Sequence, residues 1–183
     1  PMTPQLSVLG MDLETGQQSR DMTLFVDDDR TAYVVYASEK NSTLHLAELD
    51  RTYTGFTGRY WRLFPWRWME APVLFKRNGK YYFIGSGCTG WAPNAARSAV
   101  ADRLAGPWTE LGNPAVDAGG DITYGAQGTF ALQLAPDEII FMADRWNPEN
   151  AIDGRYLWLP VEWKAERPIL REPAYQCLCR NLV

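Results

Sequence analysis

The stretch that decides the fold reads MEAPVLFKRNGKYYFIGSG and covers Met69–Gly87. Two short runs rich in β-branched and aromatic residues, Val73–Lys76 and Tyr81–Ser86, lie on either side of Arg77-Asn78-Gly79. Neither run shows the three-to-four-residue apolar spacing of a helix. Because the Asn-Gly step supplies the positive φ angles of a tight hairpin turn, the stretch predicts a β-hairpin.

Apolar runs of the same kind recur on both sides of this hairpin, between polar turns such as Asp27–Arg30. Helical periodicity is almost absent, so the chain is predicted to be all-β and antiparallel. The other predicted strands are Thr23–Val26, Ala32–Ala37, Thr43–Leu49, Thr129–Leu134, Ile139–Ala143 and Tyr156–Trp163.

The hairpins form a repeat. Laid over each other without gaps, the first two place Asp21 on Glu70 and Phe25 on Leu74, at an offset of 49 residues. A looser third copy begins at Gln127, 57 residues after Glu70. Self-similarity at this period, with three or four strands per unit, is typical of β-propeller blades.

The repeat predicts a partial propeller domain over residues 1–183, with blade-like units at about 19–60, 69–112 and 124–165. Three blades cannot close a ring, since the smallest propellers have about four. We therefore expect further blades N-terminal to this chain. Residues 173–183 depart from the repeat and form an atypical tail.

The same repeat position carries a polar side chain in every unit: Asp21, Glu70 and Gln127. In a propeller the first strands line a central axis, so these side chains are expected to converge on one pocket. Enzymes that hydrolyse glycosidic bonds usually have two carboxyl groups in the active-site pocket. Trp66 and Trp68 precede Glu70. Apolar aromatic neighbours disfavour the charged form of a carboxyl and so raise its pKa toward that of an acid catalyst. The alternative is an exposed acidic residue at a strand start.

Further substrate contacts are predicted around this pocket. Thr89 and Trp91 lie in a loop at its mouth, where Trp91 would stack on a sugar face, and Tyr124 is expected to wall the pocket. Asp144, Arg145 and Trp146 end the second strand of the third unit and are candidate ligand contacts, with an Asp-Arg surface pair as the equal alternative. The G-x-G-x-x-G match at residues 85–90 is rejected as a nucleotide site because no βαβ pattern surrounds it.

Composition excludes several classes of function. A net charge of -4 and a pI near 5.1 leave no basic surplus for nucleic acid. No apolar run approaches the roughly 20 residues of a membrane-spanning helix. Cys88, Cys177 and Cys179 with His45 supply no spaced set of four zinc ligands, so no metal and no cofactor is predicted. His45 is interpreted as a surface or packing residue, and Asn41-Ser42-Thr43 fits a glycosylation sequon.

Three stretches resemble glycoside hydrolase family 43, most closely its branch related to exo-β-1,3-galactanases. They are SRDMTLFVDDDRTAYVVYAS (Ser19–Ser38), MEAPVLFKRNGKYYFIGSGCTGWAPNAA (Met69–Ala96), and YGAQGTFAL followed by FMADRWNP (Tyr124–Pro148). The resemblance covers roughly Ser19 to Arg171. It implies a five-bladed propeller, of which this chain is about three blades, that hydrolyses glycosidic bonds with inversion.

By the matching motifs, the resemblance implies that Glu70 is the acid and that Asp21 tunes its pKa and orients the sugar. Gln127 matches a glutamine that stands where a base would be expected, although an amide is a poor base. The sequence departs from the family pattern in two places. The N-terminal blades are absent, and Gly128 follows Gln127 where a Ser is expected.

The resulting hypothesis is an exo-acting, inverting glycosidase of a galactan-like or related plant polysaccharide, with arabinan and xylan as further candidates. The expected partner is an oligo- or polysaccharide, with no nucleic acid and no membrane, and the family resemblance suggests a secreted or periplasmic protein. The alternative hypothesis is a non-catalytic carbohydrate-binding propeller or an inactive fragment of such an enzyme.

Overall fold

The computed structural model describes residues 18–172, and the regular secondary structure in this part of the chain is β-strand apart from short 3-10 helices at Glu39–Asn41, Gly120–Gly125 and Ala151–Asp153. The prediction of an all-β, antiparallel fold is confirmed. The strands are β1 Met22–Val26, β2 Ala32–Ser38, β3 Thr43–Leu49, β4 Phe56–Leu63, β5 Met69–Arg77, β6 Lys80–Gly87, β7 Arg97–Ala101, β8 Thr109–Gly112, β9 Gln127–Ala135, β10 Glu138–Arg145, β11 Arg155–Pro160, β12 Glu162–Lys164 and β13 Arg167–Ile169.

The strands form three main sheets in chain order. Strands β1 to β4 make the first sheet, β5 to β8 the second, and β9 to β11 the third, while β12 and β13 form a separate hairpin. Within each main sheet every strand pairs with the next one along the chain, in antiparallel register. Strand β5 packs against both β1 and β9, so the first strands of the three sheets are neighbours.

The core consists of apolar layers between successive sheets. Strand β5 contributes to two of them, because Val73 and Phe75 join the cluster shared with the third sheet, while Leu74 joins the cluster shared with the first. A strand buried on both faces has no polar alternation, which explains the continuous apolar run in the sequence. This packing fixes β5, and with it the side chains at its start, between the other two sheets.

A β-bulge follows Glu70 and corrects the gapless repeat alignment. The register of β5 with β6 shifts between Glu70 and Val73, where Ala71 has a φ of 51°. Phe25 pairs with Tyr33 in the first hairpin, and Phe75 pairs with Tyr82 in the second. Phe75, and not Leu74, is therefore the structural equivalent of Phe25, because the bulge inserts one residue into β5.

The last predicted strand, Tyr156–Trp163, is wrong in its extent. Strand β11 ends at Pro160, and β12 begins a new hairpin at Glu162. Pro160 has no N–H to donate to the ladder. The Val161 N–H makes one more bond to β10, to the Ile139 carbonyl at 2.8 Å, before the chain enters β12. The predicted tail, residues 173–183, lies outside the described residues, as do Cys177 and Cys179. Among residues 18–172 no helix is long and apolar enough to span a membrane.

Candidate functional site

Glu70 and Gln127 meet where the second and third sheets begin. Glu70 is the second residue of β5 and faces Ser86 of β6, while Gln127 is the first residue of β9. The Gln127 Nε2 lies 3.3 Å from Glu70 Oε1 and 3.0 Å from Ser86 Oγ. The Trp146 Nε1 donates to Gln127 Oε1 at 3.3 Å, which sets the orientation of the amide. The side chain of Gln127 is thus hydrogen-bonded on both its nitrogen and its oxygen.

Asn41 holds the second oxygen of Glu70, and sequence reasoning missed this role. Its Nδ2 donates to Glu70 Oε2 at 2.8 Å, so the two carboxylate oxygens accept from two different amides. Asn41 has a φ of 67° in the turn before β3, a conformation that asparagine tolerates better than most residues. The sequon interpretation fails here, because the nitrogen that glycosylation would modify is bonded to Glu70 inside the site.

The surroundings raise the pKa of Glu70 above the ordinary value of a glutamic acid. Burial is the largest cause, the negative charge of Asp21 is the next, and hydrogen bonds from Gln127 and the Cys88 thiol act in the opposite direction. Asp21 itself is exposed, just before β1. The structure therefore brings together all three residues of the repeat position, Asp21, Glu70 and Gln127.

Cys88 is a second site residue that the sequence analysis did not predict. Cys88 is exposed as a residue, but its thiol lies against Glu70 and Asn41. The local burial of the thiol, together with the charge of Glu70, raises its pKa to about 11. The thiol is accordingly protonated at neutral pH. Cys88 directly follows β6, and Gly87 at the end of β6 pairs with Met69 at the start of β5. This position in the hairpin could have indicated from the sequence that Cys88 lies beside Glu70.

The loop from Cys88 to Asn94 is tied to itself by short hydrogen bonds. Asn94 Oδ1 accepts from the Gly87 N–H at 2.8 Å, and Asn94 Nδ2 donates to Thr89 Oγ1 at 2.6 Å. The Thr89 hydroxyl in turn donates to the Ala92 carbonyl at 2.6 Å. Thr89 thus shapes the loop that presents Trp91, whose indole is 67% exposed.

Trp91 and Trp146 form the wall between two openings. Their ring centroids are 5.5 Å apart at an interplanar angle of 69°. On one side lies a small cavity of about 60 Å³ that includes Gln127 and Ser86. On the other side lies a groove of about 510 Å³ that includes Asp144, Arg145, Trp146 and Tyr156. Exposed aromatic faces beside polar groups are a surface suited to carbohydrate.

Asp144 and Arg145 lie in the groove but do not pair with each other. Asp144 is directly opposite Gln127 in the sheet register, and burial raises the pKa of its carboxyl. Arg145 donates from Nε to the Tyr124 carbonyl at 3.0 Å and forms an ion pair with Glu172. The alternative of an Asp-Arg surface pair is therefore wrong.

The prediction that Tyr124 walls the pocket is also wrong. Its side chain is only 6% exposed and belongs to the core, with its hydroxyl 2.8 Å from the Leu170 carbonyl and 2.5 Å from that of Val116. The backbone of Tyr124 is left-handed, with a φ of 58°, and this turns the ring inward. Tyr124 therefore anchors the segment that leads to Gln127.

His45 is a packing residue, in line with one of its two interpretations. It is 1% exposed, and its Nε2 lies 2.7 Å from Glu39 Oε1. Within residues 18–172 no group of three or more His, Cys, Asp or Glu side chains is arranged to hold a metal ion.

Comparison with known sequences gives one family. The sequence model of "Glycosyl hydrolases family 43" matches residues 7–166 of the chain. A β-D-galactofuranosidase of Aspergillus niger is 29% identical over 115 residues, which are 60% of this chain and 33% of that protein.

Solved structures agree with this result. A family 43 β-1,3-galactosidase with galactodeoxynojirimycin superposes with a TM-score of 0.83 at 49% identity, over 86% of this chain and 46% of that one. An exo-β-1,3-galactanase from Clostridium thermocellum gives a TM-score of 0.79 at 36% identity, over 92% and 37%. The enzyme from Phanerochaete chrysosporium with galactose gives 0.77 at 36% identity, over 85% and 36%. The chain spans less than half the length of each of these proteins.

Proposed function

The chain belongs to glycosyl hydrolase family 43, and on that basis we propose that the protein hydrolyses β-1,3-galactan-like polysaccharides with Glu70 as its general acid. The observation that carries this proposal is the setting of Glu70. Its two oxygens are held by Asn41 and Gln127, and its pKa is raised by burial and by Asp21. A carboxyl that is fixed in direction and whose pKa is raised is what an acid catalyst requires.

In the proposed reaction, protonated Glu70 gives its proton to the glycosidic oxygen as the bond to the anomeric carbon breaks. A water molecule attacks that carbon from the opposite face and passes its proton to a second water molecule, so the anomeric configuration inverts. Asp21 serves by its charge, which raises the pKa of Glu70 and so favours its protonated form. Gln127 stands where the family pattern places a base, but its amide is bonded to Glu70, Ser86 and Trp146. We therefore assign Gln127 to orienting Glu70 and the adjacent sugar.

Asp21→Asn is expected to move the high-pH limb of the kcat/KM profile to lower pH. The charge of Asp21 raises the pKa of Glu70, so its removal lowers that pKa, and Glu70 loses its proton at a lower pH. The pH–rate profile measures this limb directly. Asp28→Asn is the matched control, because Asp28 is an exposed carboxylate in the β1–β2 turn. An unchanged limb in Asp21→Asn, or a limb at higher pH, would contradict the assigned role.

The substrate is tested by incubating the protein with β-1,3-galactan, arabinan and xylo-oligosaccharides and measuring the sugars released. We expect release of galactose from β-1,3-galactan to be the fastest. Proton NMR during the first minutes identifies the anomer, and inversion at a β-linkage yields α-galactose first. Galactose that appears first as the β-anomer would overturn the inverting mechanism.

A second candidate function is carbohydrate binding without catalysis. It is favoured by one observation, that the chain spans between 33% and 46% of the four relatives compared above. Calorimetric titration with β-1,3-galacto-oligosaccharides separates the two functions. Binding without any sugar release would support this candidate, whereas turnover would exclude it.

A further inference from the structure

Buried Glu39 begins the turn that carries Asn41, and its carboxylate is bonded to two strands of the first sheet. Glu39 is 2% exposed, and its Oε1 lies 2.7 Å from His45 Nε2 on β3 and 2.7 Å from Arg62 Nε on β4. Arg62 also pairs with the second oxygen, Oε2. Both oxygens of Glu39 are therefore occupied by donors from two paired strands of the first sheet.

The turn itself is conformationally unfavourable. Glu39, Lys40 and Asn41 have φ angles of 49°, 56° and 67°, three consecutive non-glycine residues in the left-handed region. Such residues persist only where the surroundings hold them. The Glu39 side chain is anchored between β3 and β4, and Asn41 follows it by two residues. The backbone is thereby held in the shape that carries the Asn41 side chain to Glu70.

We propose that Glu39 is a positioning residue for Glu70. Its pairing with Arg62 and His45 holds the turn at residues 39–41 in the conformation from which Asn41 Nδ2 donates to Glu70 Oε2 at 2.8 Å. The catalytic consequence of this arrangement rests on the proposed function, but the structural coupling does not. In this proposal Glu39 acts on Glu70 only through Asn41.

The sign of the effect follows from the hydrogen bond. An N–H that donates to a carboxylate stabilises the charged form, so the loss of the Asn41 contact raises the pKa of Glu70. The same loss frees one oxygen of the acid, and a misdirected acid lowers kcat more than it raises KM. Damage to folding alone would produce neither the rise in pKa nor this split between kcat and KM.

The first test measures the pKa of Glu70 by carbon NMR of labelled carboxyl groups, which needs no catalytic activity. Glu39→Gln, Arg62→Met and Asn41→Ala are each expected to raise the pKa of Glu70 by roughly half a pH unit or more. Arg59→Met is the matched control, because Arg59 pairs with the buried Glu48 at the opposite end of the same strands. Arg62→Met serves if Glu39→Gln does not fold, since the Arg62 side chain is 42% exposed.

The double variant Glu39→Gln/Asn41→Ala decides whether the coupling runs through Asn41. We expect its Glu70 pKa to equal that of Asn41→Ala alone, since residues of one network are not additive. In activity assays, Glu39→Gln is expected to lower kcat about tenfold with KM within about twofold. Additive shifts in the double variant, or an unmoved pKa in both Glu39→Gln and Arg62→Met, would overturn the inference. An active Glu70→Gln enzyme would instead refute the proposed function, and the NMR result would stand independently.

Discussion

Glu70→Gln is expected to lower kcat on β-1,3-galactan by about a thousandfold, with KM changed little. Glutamine has nearly the same shape and keeps one oxygen to accept from Asn41 or from Gln127, while its NH2 replaces the other oxygen. It has no acidic proton to give to a glycosidic oxygen. Burial and the charge of Asp21 raise the pKa of Glu70, which favours the protonated acid in the wild-type protein. Steady-state kinetics on galactan oligosaccharides measures the loss.

The dependence on the leaving group separates loss of the acid from general damage. A dinitrophenyl β-galactoside departs without protonation, so Glu70→Gln is expected to retain activity on it within about tenfold of the wild type. The matched control is Glu110→Gln, because Glu110 is a partly exposed carboxylate of β8 that pairs with Arg67 and Arg97. An equal loss on both substrates would show that Glu70 is not the acid.

The sequence predicted the strands that line the site, β1, β5, β6, β9 and β10, and the proximity of Asp21, Glu70 and Gln127, but it missed the outer strands β4, β7 and β8. Alternating or continuous apolar runs identify strands, and a repeat places equivalent residues at equivalent points of each sheet. The neighbouring first strands, β1, β5 and β9, then bring these residues together. No contact between distant segments had to be known in advance.

Asn41 and Tyr124 show where this reasoning ends. Asn41 reaches Glu70 only because three residues adopt left-handed backbone, which is supported by the hydrogen bonds of buried Glu39 to His45 and Arg62 on two later strands. Tyr124 faces the core for a similar reason, since its left-handed backbone directs the ring toward Val116 and Leu170. Such backbone conformations are fixed by tertiary contacts, so they cannot be predicted from the periodicity of apolar residues along the sequence.

Gly128→Ser is expected to destabilise the protein by about 1–3 kcal/mol, although serine is the residue that the family pattern has after the glutamine. A Cβ at Gly128 would lie 2.9 Å from the Phe141 ring and 2.9 Å from a methyl group of Val73. Both neighbours are buried core residues, 1% and 0% exposed, and have no free space to move into. Urea denaturation and thermal unfolding measure the change.

A second substitution tests the steric cause. Val73→Ala removes the clashing methyl group, so Gly128→Ser should destabilise the Val73→Ala protein less than it destabilises the wild type. Gly154→Ser is the matched control, because the nearest atom to a Cβ there is 3.5 Å away, and it is expected to change stability by no more than about 0.5 kcal/mol. If the cost of Gly128→Ser is the same in both backgrounds, the crowding at Val73 is not its origin. If the cost falls, Gly128 is explained by the close approach of β5 to β9, the packing that also holds Gln127 against Glu70.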